Sequence, residues 1–336
     1  MFLVGVLPPK EEYGTMVNAD SKMKWGIKKK LTILMILTGL IPLAIFFIFT
    51  SNTVHDAILK VNEDRLVSLR EGKKLQIENY FKQIRSQIIT YSSNRMIVDA
   101  MKEFNQAFSN PGVESIALDS GLQNKLAARY EYQKANTPGA GNDAVSKWMP
   151  QKEISRYFQS LYISDNSNPI GSKESLDAAP QDIEYNRLHK KYHPIIRQFL
   201  NEFGYYDIFL VEINTGHIVY SVFKEVDYAT SLATGPYSQT GIGRAFQGAK
   251  NLNDPNAIYI DDFQSYEPSY NAAASFIASP IFDNGQKVGV LIFQAPVDRI
   301  NDIMTSKNNW KNVGLGESGE VIWSAPIISS ETTRGF

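Results

Sequence analysis

Two histidines four residues apart, His189 and His193, have the one spacing among the chain's histidines that lets both rings meet a metal ion from a single helix. No acidic residue directly follows the first of them, and Pro194 disfavours helical geometry at His193. The pair therefore reads as structural, and no metal site is assigned. Gly314, Gly316 and Gly319 match G-x-G-x-x-G, but the EVIW that follows reads as a strand where a dinucleotide site needs a helix. They are expected to form a turn entering a sheet, and no cofactor is expected. TGIGRAF near Gly241 lacks the last glycine and reads as the opening of a helix. The chain has no G-x-S-x-G elbow, and no carboxylate pair can be assigned from it. With no cysteine, thiolate metal sites, cysteine nucleophiles and disulfides are excluded. No catalytic residue is named, and the expectation is that the chain is not an enzyme.

A different chemistry is offered by a set of aromatic and polar residues: Tyr220, Phe223, Tyr228, Tyr237, Asp261, Asp262, Phe263, Tyr266, Tyr270 and Ser275. Small-molecule pockets combine apolar walls with a few fixed polar groups, and this mixture suits one. Asp261 or Asp262 would hold a ligand ammonium while tyrosines close over its apolar part. The same residues are also ordinary core aromatics with exposed loop carboxylates, and both readings stand at this stage.

These residues need elements to hold them. The 336 residues, 43% hydrophobic and 21% charged, have an ordinary globular composition. A net charge of −1, from 34 basic and 35 acidic side chains, gives no pull toward nucleic acid, and none is expected as a partner. Leu31 to Thr50 runs for 20 residues without a charge, enough at about 1.5 Å per residue to cross the roughly 30 Å hydrocarbon layer. Lys22, Lys24, Lys28, Lys29 and Lys30 precede it, which by the positive-inside tendency keeps the N-terminus cytoplasmic. A core helix would show a polar face and a cleaved signal a better A-x-A-like site, so a membrane anchor is expected. Residues 1–22 are expected to precede a native start at Met23, and no second span is expected after Ser51. The predicted location is the inner membrane with one span and the bulk periplasmic.

Beyond the span, Asn52 to Phe108 reads as one long helix, with Ile77, Phe81, Ile84, Ile88, Tyr91 and Val98 at three- and four-residue steps. Such a helix of about 55 residues would reach roughly 80 Å, so its stripe can pack against later helices of the same domain, form a homodimer stalk continuous with the membrane helix, or do both. Further helices are predicted over 121–134, 151–162 and 184–203. From Gly204 the runs YYDIFLVEI, HIVYSVF, AIYIDDF, ASFIASPIF and KVGVLIFQAPV read as five strands, with a short helix near 243–249. Turns at Asn214-Thr215-Gly216 and Asp283-Asn284-Gly285 join two hairpins. Antiparallel strands after long helices predict an α+β fold.

FGYYDIFLVEINTGHIVYSVFKEVDYATSL, GPYSQTGIGRAF, SPIFDNGQKVGVLIFQAPVDRINDIMT and GLGESGEV resemble the double-Cache sensor region of bacterial methyl-accepting chemotaxis proteins, over roughly residues 23–321. The resemblance implies a PAS-like antiparallel sheet with helical inserts, a small-molecule ligand and a role in chemotaxis signal transduction. It divides the chain into a cytoplasmic N-terminus (1–30), a transmembrane helix (31–50), a membrane-distal Cache module (51–312) and the truncated start of a second module (313–336). The Arg-x-Trp-Tyr arrangement of amino-acid-binding relatives is absent. Two alternatives stand beside it: the same input attached to a membrane adenylate cyclase or histidine kinase, or an anchored extracytoplasmic interaction protein without a pocket.

Overall fold

The computed structural model describes residues 26–113, 115–309 and 312–313. The readings made of residues 1–22, of the glycines at 314, 316 and 319, and of the start of a second module after Val313 lie outside the described residues.

Helix α1 (Ile27–Ser92) is 66 residues long and contains Pro42. Contacts divide the chain between Ser68 and Leu69. In the first unit, the described part is helix, with Leu31, Leu34, Leu40, Phe46 and Phe49 exposed; it is long and apolar enough to cross a membrane.

The second unit is an α+β domain. The helix expected over 52–108 is interrupted: α1 ends at Ser92 and α2 (Arg95–Ser109) begins after Asn94. Asn94 has extended backbone, and its Oδ1 accepts from the Met96 amide at 2.9 Å. An asparagine in the capping position satisfies an otherwise orphaned amide, and hydrophobic spacing alone does not register that competition. The apolar stripe carries on across the break, from Ile84, Ile88 and Tyr91 to Val98, Met101 and Phe104, all buried.

Helix α3 (Ser120–Asn136) is capped by Asp119, α4 (Ala144–Trp148) is one turn, and α5 (Glu153–Gln159) widens into a π turn through Ser164. Helix α6 (Glu184–Phe203) closes on Gly204, whose φ of +70° suits a residue without a Cβ. It runs through Pro194, so His193 is helical, contrary to the expectation from its neighbour. Proline removes one main-chain hydrogen bond, and buried contacts of Tyr192, His193 and Ile196 on either side hold the helix together.

Five strands follow, interleaved with helices: β1 (Asp207–Glu212), β2 (Ile218–Ser221), α7 (Gly241–Lys250), β3 (Tyr259–Tyr266), β4 (Ala272–Asp283), β5 (Gln286–Pro296) and α8 (Val297–Thr305). They form one antiparallel sheet in the order β2-β1-β5-β4-β3. At the β4–β5 turn Asn284 and Gly285 both have positive φ, as a two-residue hairpin loop of matching twist requires.

Facing residues on adjacent strands share a side of the sheet. Ile208, Phe293 and Ile277 form one row, and Phe293 packs on Tyr91, Phe199 and Tyr205, so this side carries α1 and α6. The adjacent row, Asp207–Gln294–Phe276–Asp261, faces the opposite side, where α7 sits with Gly248 against Tyr259 and Gly241 against Phe276. That second side holds polar groups within a buried layer.

Candidate functional site

The segment VFKEVDYA, between β2 and α7, brings three charged side chains into the interior: Lys224, Glu225 and Asp227, each 5% exposed or less. Lys224 has a φ of +63°, which turns the chain back under itself. Across from them Asp207 opens β1, also fully buried.

Asp207 is held by four donors: the amides of Ile208, Val222 and Phe223 at 2.6, 2.9 and 3.0 Å and the Ser221 hydroxyl at 2.8 Å. Burial pushes its carboxyl up, and these donors with the neighbouring Lys224 charge oppose that push. Burial pushes the Lys224 ammonium down, and Asp207 restores part of the shift. The Lys224 Nζ donates to the Ser221 carbonyl and lies 4.6, 5.0 and 5.5 Å from the ring centres of Tyr220, Tyr228 and Tyr162. Behind this cage His193 bridges the Tyr220 hydroxyl and the Glu174 carbonyl at 2.7 and 2.6 Å, and His189 stacks on it at 4.3 Å. Burial drives both imidazoles far down, so they stand neutral. Among the described residues no group of three or more His, Asp or Glu side chains is placed to share a metal ion.

Asp227 and Glu225 are less well provided for. The Tyr266 hydroxyl donates to Asp227 Oδ2 at 2.6 Å, while Oδ1 makes no hydrogen bond of ordinary geometry. Glu225 accepts from the Tyr206 and Ser269 hydroxyls, both at 2.8 Å. Burial and then the Asp207 charge push Asp227 up to about 7. Burial and then the Asp227 charge push Glu225 well above the ordinary carboxylate range.

Around this acid pair lie further buried polar atoms without partners among the described residues: Tyr237 Oη, Gln294 Oε1 and Gln133 Oε1. Each belongs to a side chain that is otherwise fixed. The Gln294 amide donates to Ser269 Oγ at 3.1 Å, and the Gln133 amide donates to the Glu267 and Pro268 carbonyls at 2.7 and 3.0 Å. The Tyr237 ring centre is 6.1 Å from that of Tyr266, which stands edge-on to Phe276 at 5.0 Å. One helical turn before Gln133, Arg129 is 8% exposed; it donates to Tyr270 Oη at 3.3 Å through Nη2, leaving Nε and Nη1 without partners. An orphaned buried polar atom costs about 1–3 kcal/mol, so several in one layer mark a place where something else supplies the bonds.

The residues expected to line a pocket are distributed as follows. Tyr237, Tyr266 and Tyr270 come together in the acidic layer, whereas Tyr220 and Tyr228 cage Lys224. Phe223 packs on Tyr206 at 4.8 Å. Asp261 is paired within the protein to Arg244 by contacts of 2.8 and 2.7 Å, and the Ser275 hydroxyl donates to the Asp261 carbonyl at 2.8 Å. Asp262 is exposed and Phe263 half-buried at the irregularity of β3. The residues that composition did not bring forward are Arg129, Gln133, Asp207, Lys224, Glu225, Asp227 and Gln294. Gln294 alone carried a plain signal, as a lone amide inside the apolar run VGVLIFQA.

No family model matches this chain, and no curated protein matches it. Among solved structures it is similar to the sensor domain of the Vibrio cholerae histidine kinase DctB, at 10% identity over 56% of this chain and 59% of that one, with a TM-score of 0.28. It is also similar to the ligand-binding domain of the Campylobacter jejuni chemoreceptor Tlp3 in complex with 4-methylisoleucine, at 10% identity over 58% of this chain and 67% of that one, TM-score 0.26. A third is an extracellular ligand binding receptor from Desulfohalobium retbaense, at 13% identity, 64% and 27% coverage, and a TM-score of 0.23. The chain thus spans about three fifths of the first of these. Likenesses at this level carry no functional assignment, which rests on the chain's own residues.

Proposed function

We propose that this chain is the extracytoplasmic ligand-sensing region of a bacterial transmembrane chemoreceptor of the Cache type. The N-terminus is cytoplasmic, residues 31–50 are the span in the inner membrane, and residues 51–312 are the sensor module. The observation that carries the reading is the buried layer at Asp227, Tyr237, Gln294, Gln133 and Arg129, where, among the described residues, fixed side chains present unpartnered atoms on the polar side of the sheet. Structural packing alone gives no reason to retain such atoms, whereas a small polar ligand satisfies them.

The acceptors at Asp227, Gln294 and Gln133 suit a ligand with several N–H donors, an ammonium or guanidinium group above all. The free Nε and Nη1 of Arg129 form the edge of a planar fork that suits a carboxylate or phosphate at the ligand's other end. The ligand prefers one arrangement of the segment between β2 and α7, and that preference drives the signal.

A metabolite-library melting screen on the full chain in detergent tests this reading. A ligand of the folded state raises the midpoint by mass action. Failure of every compound in a broad amine, amino-acid and carboxylate library to shift the midpoint contradicts direct sensing.

A further inference from the structure

The acid pair of this same site has a consequence for what binding exchanges, and it rests on the ligand-binding reading above. We infer that Glu225 and Asp227 hold a proton between them before a ligand arrives, and that a cationic ligand enters by displacing that proton to solvent.

Two carboxyl groups two residues apart in one short segment, 5% and 0% exposed and each within reach of the other's charge, cannot both carry charge without compensation. The compensation visible on each packed element is small, and within the segment itself the amides of Asp227 and Tyr228 offset only part of the push that burial gives Asp227. On β1 and the residue before it, Asp207 adds negative charge and Tyr206 supplies one hydroxyl donor. At the end of β3 and in the β3–β4 connection Tyr266 and Ser269 supply one hydroxyl donor each, and the Glu267 carboxylate acts on neighbouring Tyr237.

The cations are committed elsewhere or turned away. Lys224 is caged by tyrosines beside Asp207, and Arg244 is paired with Asp261. Among the described residues, Arg129 on α3 hydrogen-bonds to Tyr270 and makes no ion pair with either acid. From α3 and the segment before α7, Tyr130 and Tyr237 face the pair as neutral hydroxyls, since burial pushes both upward. Asp227 at about 7 and Glu225 well above its usual range are the titration counterpart of this geometry.

An ammonium or guanidinium supplies both positive charge and N–H donors, so it takes over the proton's role and also reaches Asp227 Oδ1. The balance is one proton released for each cation bound. The sign follows: while the pair holds its proton, proton and cation compete, so the apparent dissociation constant rises about tenfold for each pH unit lost; once the proton has gone, binding is level.

Two measurements on the full chain in detergent test the inference. Infrared spectra at pH 7 should show the carbonyl stretch of a buried protonated carboxylic acid, absent in the double variant Glu225→Gln, Asp227→Asn. Wild-type spectra showing no such band at any pH from 5 to 8 overturn the idea without reference to any variant's folding. Methylammonium and guanidinium should stabilise the protein progressively more from pH 5.5 to 7.5, and stabilisation that is independent of pH contradicts the exchange. Stabilisation by neutral or anionic library compounds alone overturns the exchange and leaves the site standing. A library with no active compound removes the site and the exchange together.

Discussion

Among the described residues no cation pairs with Asp227; the Tyr266 hydroxyl donates to it, its own amide and that of Tyr228 act on it besides, and it is fully buried. Its value of about 7 lies above the roughly 4 of an unfolded aspartate, so the folded state keeps a proton that the unfolded state has lost. Stability from this group is therefore present at low pH and declines as pH rises through the window from about 4 to 7. Asparagine does not titrate. Asp227→Asn should gain on the wild type by about 2–3 kcal/mol between pH 5 and pH 8, read from urea unfolding midpoints at the two values. A variant that loses stability equally at both pH values would mean that Asp227 is an ordinary ionised carboxylate. The expected gain is the mark of a residue kept for binding at a cost in stability. At this scale the sequence was least legible. Tyrosines were visible as pocket material, but a Lys, Glu or Asp in a polar-looking stretch such as VFKEVDYA looks solvated until the strands on either side bury it. Asp261 shows the converse, since its partner Arg244 lies 17 residues away and only the fold brings them together.

Strands and helices were far easier to foresee, because each is specified by its own residues. The five apolar runs became the five strands, and the segment expected over 184–203 is helix α6. Two departures have local causes that periodicity does not express: the Asn94 cap splits the long helix, and the π turn after α5 replaces its last residues. Helix α7 depends on small residues. A Cβ at Gly243 would run into the carbonyl oxygens of Tyr237 and Ser238, which are main-chain atoms that cannot swing aside. Gly243→Ala should thus cost about 1–3 kcal/mol and shift the loop that carries Tyr237, so thermal stability and ligand response fall together. A variant with the wild-type melting point would show that the helix can reseat without strain.

At the scale of the whole molecule, helix α1 carries the apolar segment at residues 31–50 and then presents exposed Val54, Ile58 and Val61 at four- and three-residue steps. That spacing fits a two-stranded seam, and the proposed receptor would pair through it. Because the chain has no cysteine, single substitutions report cleanly. Val54→Cys, Ile58→Cys and Val61→Cys in membranes should each give disulfide-linked dimers on mild oxidation, and Asp56→Cys and Glu63→Cys far less. Equal yields at all five positions would mean random collision in place of a seam.

The central claim is that the polar layer over the sheet receives a ligand, and Gln294 tests it most directly. Its Oε1 is buried and without a partner among the described residues, while leucine there keeps about the same volume beside Phe276. Melting of the full chain is measured for the wild type and Gln294→Leu against the same metabolite library. The account predicts that a compound raising the wild-type midpoint leaves that of Gln294→Leu unmoved, although both proteins melt cooperatively. A compound that raises both midpoints by the same amount binds elsewhere, and would contradict it.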